Sequence, residues 1–210
     1  LLADSGLDVR ILDGDEEARL TARAALGRDA VADRHYLLLD TGGGSTEVIR
    51  TRGIVVLASG SIPIGSVRVV RRCWPAAEVP SPDQFQAGKT LIDAALDAAD
   101  WLPAASPGEP PEGIGLAGTF RTLARMQSPG GATLTRAWLA EAIERLARMP
   151  HAAIAQAYPI EPDRAEVILA GAMIADRLLG RLGLDRVRAT AQGIADGLLD
   201  EFLWESPGRA

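Results

Sequence analysis

The chain has 210 residues, 47% of them hydrophobic, and a formal net charge of −6. That length holds one or two domains with a sizeable core, and the composition excludes a disordered or fibrous protein. The acidic balance argues against a general nucleic-acid binder or a membrane-surface protein, since both carry basic patches.

The first residues, Leu1-Leu2-Ala3-Asp4, include no initiator methionine and no signal-peptide pattern, so the expectation is a soluble chain that starts inside a longer protein. Leu7 to Leu12 alternates enough for a strand. Asp13-Gly14-Asp15 then turns into Glu16-Glu17-Ala18-Arg19-Leu20, where an Asp N-cap and early acidic residues open a helix that runs to about Leu26. Tyr36 to Asp40 is a continuous apolar run of strand length, expected to be a buried central strand. Glu47 to Arg50, a turn at Thr51-Arg52-Gly53, and Ile54 to Ala58 read as strand, tight turn, strand.

Ser61 to Arg68 leads into Val69 to Trp74, and Pro75 to Pro82 is a linker. Ser81-Pro82-Asp83-Gln84 combines an N-cap, a first-turn proline and a glutamine three residues after the cap, which predicts a helix through Leu91, Ile92, Leu96 and Ala99. Pro103 to Gly113 reads as a loop. Ile114 to Ala117 is a short strand running into Gly118-Thr119 and a helix with Leu123 and Met126. Thr135 caps a helix with Trp138, Leu139, Ala142, Ile143 and Leu146 on one face. Pro162 starts a helix from about Asp163 to Leu182, closed by Gly183. Val187 to Ala189 is a last strand, and Gly193 precedes a final helix through Phe202.

A single cysteine, Cys73, excludes an internal disulfide, and two histidines, His35 and His151, are too few for a His/Cys metal cluster. A reducing cytoplasm is the expected compartment. No apolar run reaches the roughly 20 residues of a membrane span. Lys89 is the lone lysine among 22 basic residues; the arginine bias reflects coding-sequence base composition or phosphate recognition by planar guanidinium groups.

The chemistry concentrates in Asp40-Thr41-Gly42-Gly43-Gly44-Ser45-Thr46-Glu47. Three glycines leave main-chain N–H groups bare and permit a turn to wrap around a phosphate, while Ser45 and Thr46 add hydroxyls. A plain glycine loop is the bland alternative. The dinucleotide fingerprint fits poorly because the spacing ends in Glu47 and a hairpin follows, and a P-loop lacks its Gly-Lys-Ser/Thr ending. A phosphate-gripping hairpin remains, with Asp40 either orienting a hydrated divalent cation or simply capping the turn.

These residues resemble the signature D-x-G-G-G-S-T-E of the exopolyphosphatase and guanosine pentaphosphate phosphohydrolase (Ppx/GppA) family. Four further segments are similar in order and spacing: Gly14 to Leu20 to G-x-E-E-A-R-L, Ser61 to Arg68 to S-x-P-x-G-x-V-R, Gly115 to Thr119 to a second glycine turn, and Arg164 to Ala172 to R-A-D-x-I-x-A-G-A. Near the C-terminus, Ala191 to Gly197 departs from D-x-G-L-R-E-G in lacking the arginine.

The resemblance implies an α/β, actin-like domain of the RNase H-like, sugar kinase/heat-shock chaperone/actin superfamily, with a mixed sheet flanked by helices. It further implies a single domain over residues 1–205 that corresponds to the family's second, with a loose tail at 206–210 and the first domain supplied in cis by a longer protein. Glu17 takes the position of a catalytic carboxylate that activates water. Gly42, Gly43, Gly44, Ser45 and Thr46 would bind phosphate, Gly118 and Thr119 would close the other side of the cleft, and Asp40 would hold Mg²⁺ or another divalent cation. Glu47 points to the opposite side of its strand from Thr46, and Arg68, Arg71 and Arg72 read as a solvated face or as a guide for a polyanion.

The expected substrates are polyphosphate or guanosine pentaphosphate, with no nucleic-acid or membrane partner. An exposed apolar face on the 163–182 helix would favour a homodimer. Alternatives are a non-catalytic phosphate- or alarmone-binding module and a kinase-type ATPase of the same superfamily.

Overall fold

The computed structural model describes residues 12–27, 30–103, 110–192 and 196–199. The elements run α1 (Gly14–Leu26), β1 (His35–Thr41), β2 (Thr46–Arg52), β3 (Val55–Ile62), α2 (Ser66–Cys73), α3 (Pro82–Asp97), β4 (Glu112–Leu116), α4 (Ala117–Gln127), β5 (Thr133–Thr135), α5 (Arg136–Leu146), α6 (His151–Ala157), α7 (Pro162–Leu182) and β6 (Arg186–Ala189). One six-stranded mixed sheet has the order β3-β2-β1-β4-β6-β5. Strands β1, β4 and β6 are parallel, and β2, β3 and β5 pair antiparallel to their neighbours.

The apolar run Tyr36-Leu37-Leu38-Leu39 makes β1 the central strand because it can be buried on both faces. Leu37 and Leu39 enter a large core built with Val69 of α2, Ile92 of α3, Phe120 of α4 and the length of α7. Tyr36 and Leu38 point the other way, into a smaller core with Ala18, Ala22 and Leu26 of α1. Each fully buried leucine stabilises the fold by roughly 1.5–3 kcal/mol, so β1 is anchored from both sides.

Local signals agree with this layering. Asp13 caps α1 by accepting from the Glu16 N–H at 2.8 Å, and Ser81 with Gln84 forms a complete capping box on α3. Gly183 closes α7 in a left-handed conformation at φ 68°. Gly197, within the helical residues 196–199, lies against the backbone of Leu20 in α1.

Several expectations need correction. Strand β4 begins at Glu112, inside the stretch read as a loop, and ends at Leu116; Ala117 is the first residue of α4. The three-residue β5 and the seven-residue α6 were not anticipated, being too short to give a periodic signal. The apolar residues of α7, among them Ile168, Met173, Leu178 and Leu182, are buried within the chain, so this helix presents no apolar face for a dimer. Apart from Leu12, the strand read over Leu7 to Leu12 lies outside the described residues, as do the rest of the final helix and the 206–210 tail. Among the described residues no helix is long and apolar enough to cross a membrane.

Candidate active site

The β1–β2 hairpin ends in residues 42–45. Gly42 N–H donates back to the Ser45 carbonyl at 2.9 Å, which closes the turn. The turn is held from below by the start of α2, whose Ser66 and Arg68 N–H groups donate to the Gly42 and Gly43 carbonyls, both at 3.0 Å. The Arg68 side chain adds a bond from Nε to the Gly44 carbonyl at 2.9 Å. Gly65, just before α2, lies so close that a Cβ there would stand 2.5 Å from the Gly43 carbonyl carbon and 2.6 Å from the Gly44 nitrogen. Backbone therefore rests on backbone, and only glycine fits.

With its carbonyls occupied by α2, the turn turns its amides outward. The N–H groups of Gly43, Gly44 and Ser45 have no acceptor among the described residues, and Gly42, Gly43 and Gly44 are solvent-exposed. The two threonine hydroxyls behave differently from a ligand-binding expectation. Thr46 is fully buried and its Oγ1 donates to the Ile64 carbonyl at 2.7 Å, so the hydroxyl secures the hairpin from inside. Thr119 Oγ1 likewise donates to the Thr41 carbonyl at 2.7 Å, tying the start of α4 to the end of β1.

Parallel β4 delivers the second turn beside the first. Ala117, at its head, has φ 53°, and it is the single non-glycine residue with positive φ among the described residues. That conformation costs an L-residue roughly 1–2 kcal/mol. Helix α4 then opens without a side-chain cap, its N-cap position being Leu116, so its first amides remain open to a ligand. Gly118 packs directly against the Arg164 guanidinium, leaving no room for a side chain. Arg164 has no carboxylate partner among the described residues, and with Gly42, Gly43, Ala117 and Thr119 it borders a cavity of about 380 Å³.

On the other face of β1 the site turns acidic. The register Thr41↔Thr46 sets Asp40 directly opposite Glu47, which places both carboxylates on the α1 side. There they share a cavity of about 320 Å³ with Glu17 from the first turn of α1 and with Ser59 and Ser61 of β3. Ser61 Oγ donates to Glu47 Oε1 at 2.9 Å. Burial, reinforced by the charges of Glu47 and Glu17, pushes the Asp40 carboxyl up from 3.8 to about 6. A carboxylate so placed is stabilised by a cation. Among the described residues no group of three or more His, Cys, Asp and Glu is arranged to hold a metal on its own. The pair Asp40–Glu47 instead offers two carboxylates, a donor set that suits a largely hydrated divalent cation such as Mg²⁺.

The structure thus brings Glu17, Asp40, Gly42, Gly43, Gly44, Ser45, Gly118 and Thr119 to the C-terminal end of β1 and its parallel neighbour β4, where ligands bind in open α/β sheets. Two residues that the sequence left without a role join them. Glu47 follows from counting pairs outward from the turn. Arg164 was signalled by its place in the first turn of α7, where a cation opposes the helix dipole. A larger cavity of about 750 Å³ lies at the opposite end of the sheet, where Glu112 neutralises Arg34 and Arg188 at 3.2 and 3.4 Å.

The sheet order and its two glycine turns define an actin-like fold, and the structure superimposes on known members. The Aquifex aeolicus member of the Ppx/GppA family aligns with a TM-score of 0.80 at 22% identity, over 99% of this chain and 68% of that one. An exopolyphosphatase from Cytophaga hutchinsonii gives 0.74 at 21% identity, over 97% and 68%. In sequence, the Ppx/GppA phosphatase family matches residues 3–205, and the chain belongs to that family. It is 32% identical over 206 residues to exopolyphosphatase 2 of Mycobacterium tuberculosis, covering 92% of this chain and 63% of that protein. It is 28% identical over 204 residues to exopolyphosphatase 1 of Mycobacterium bovis, covering 93% and 59%. The chain therefore spans less than two thirds of the length of these two Mycobacterium proteins.

Two measurements check this geometry. Gly65→Ala forces the turn off its seat, so it should destabilise the protein by about 1–3 kcal/mol in urea denaturation and weaken pyrophosphate binding; unchanged stability would contradict the backbone contact. Asp40→Asn should raise stability at pH 7.5 in chelator by about 2 kcal/mol. The sign follows from the raised carboxyl: above pH 6 the folded state carries a disfavoured charge, whereas below about 3.8 Asp40 is neutral in both folded and unfolded states. The gain should accordingly fade as pH falls between those values, and a pH-independent difference would exclude it.

Proposed function

We propose that this chain is the second, C-terminal domain of a divalent-metal-dependent phosphohydrolase that releases terminal phosphate from inorganic polyphosphate or guanosine pentaphosphate. The observation that carries this reading is the meeting, at the end of one strand, of an amide-lined turn on one face and a carboxylate-lined cavity on the other. Phosphoryl transfer asks the protein for positioning, charge stabilisation and an activated water. The named activity of the relatives favours polyphosphate as substrate.

In this mechanism the terminal phosphoryl group lies over residues 42–45. The Gly43, Gly44 and Ser45 amides hold its oxygens from one side and the open start of α4 at Gly118 and Thr119 from the other. Preorganised donors of this kind stabilise charge that develops during transfer. Arg164, packed against Gly118 and without a carboxylate partner among the described residues, adds a guanidinium suited to bidentate phosphate contact. The solvent-exposed Glu17 takes the proton of the attacking water from the acidic side of β1. Asp40 and Glu47 would hold Mg²⁺ or another divalent cation, which would supply neutralisation of phosphate charge. Thr46 supports the turn rather than touching substrate. A preceding domain in cis covers the open cleft, and without it turnover is slow; a reducing, cytoplasmic setting suits the single cysteine.

Phosphate release from long-chain polyphosphate and from guanosine pentaphosphate, by the longer protein containing this chain with Mg²⁺, tests the reading. Glu17→Gln should lower kcat by about 10²–10⁴-fold and leave tripolyphosphate affinity nearly unchanged. Native protein that binds but never releases phosphate would mark a recognition module, and a fully active Glu17→Gln would remove that residue from the chemistry.

A further inference from the structure

Helix α2 does more than hold the glycine turn. Three of its eight residues are arginine, none is acidic, and Arg68, Arg71 and Arg72 follow i, i+3, i+4 spacing. That spacing sets them on one face, while Val69 and, in part, Val70 and Cys73 turn inward to the core. The helix begins at the turn itself, through the Ser66 and Arg68 amides and the Arg68 Nε bond to Gly44. Val67 borders the same cavity as Arg164, and Arg71 stands one turn further along that side.

Arg71 and Arg72 are exposed and have no hydrogen-bond or ion-pair partner among the described residues. Arg177 and Arg181 of α7, by contrast, meet Asp93 and Asp97 at 3.2 and 3.7 Å. A helix dipole accounts for arginines in a last turn, but it disfavours one in the first, where Arg68 sits. A cationic stripe that starts at a phosphate-binding turn and leads away from it suits a ligand with anions repeating along its length.

We propose that the exposed face of α2 is an outer subsite for the distal phosphates of a linear polyanion of the inorganic polyphosphate class, resting on the assignment of residues 42–45 to the terminal phosphate. Arg71 and Arg72 contact phosphates further along the chain, through bidentate guanidinium bonds. The subsite adds affinity for long chains and nothing for a substrate with only a few phosphates. It therefore selects polyphosphate over a nucleotide-borne phosphate run.

Calorimetric titration of the chain with tripolyphosphate and with long-chain polyphosphate, in Mg²⁺, tests this. The double variant Arg71→Ala/Arg72→Ala should bind long-chain polyphosphate roughly tenfold more weakly and tripolyphosphate as before. Its plot of log affinity against log salt should be shallower by about 1–2. The control pair Arg145→Ala/Arg148→Ala, in the last turn of α5 and just beyond its end, should change neither. Equal affinity of native and variant for the long chain, an equal loss for both ligands, or the same loss in the control pair would overturn the subsite. Native protein that binds neither ligand would instead overturn the phosphohydrolase reading beneath it.

Discussion

The site depends on a contact between two stretches of main chain. Gly65 brings the start of α2 against the 43–44 peptide at a distance that admits no side chain, and two helix amides then occupy the carbonyls of Gly42 and Gly43. A peptide unit has an oxygen and an N–H on opposite sides, so fixing the carbonyls downward aims the amides at solvent. The outward set of amides that suits the turn to an anion follows from the way it is anchored. The same seat sets where α2 begins, and hence where the arginines of its exposed face project.

Strand alternation then divides the chemistry. Asp40 and Thr41 are adjacent in β1 and their side chains point to opposite faces; Asp40 lines the acidic cavity, and the Thr41 carbonyl at the same strand end accepts from Thr119 at the start of α4. Each feature carries a cost that the double-sided core of β1 sustains. Asp40 is held with its carboxyl raised to about 6, and Ala117 adopts a left-handed backbone at the second turn. Strain and unfavourable charge at a site are expected where function opposes stability.

Much of this was legible in the sequence, for physical reasons that differ by element. The continuous apolar run of β1, the capping box of α3 and the glycine closing α7 are local signals whose meaning does not depend on the rest of the chain. The glycine turn was legible because few backbones need three glycines between strands. Glu47 lay one inference deeper, since its role required the pairing register as well as the strand. Arg164 belongs to a helix more than a hundred residues away from the turn it faces, and only the packing of α7 against α4 and α2 brings them together. The inward turn of the Thr46 and Thr119 hydroxyls was beyond sequence reasoning, because a hydroxyl next to a phosphate turn serves a ligand or the fold equally well until its acceptor is known.

The most direct test of the account is the backbone amide spectrum of the ¹⁵N-labelled chain during titration with pyrophosphate in Mg²⁺. The account predicts saturable shifts concentrated at Gly43, Gly44, Ser45 and Gly118, with Gly42 moving less because its N–H is already bonded within the turn. Shifts confined to other regions, or no saturable response at those four amides, would contradict the assignment of this turn to phosphate.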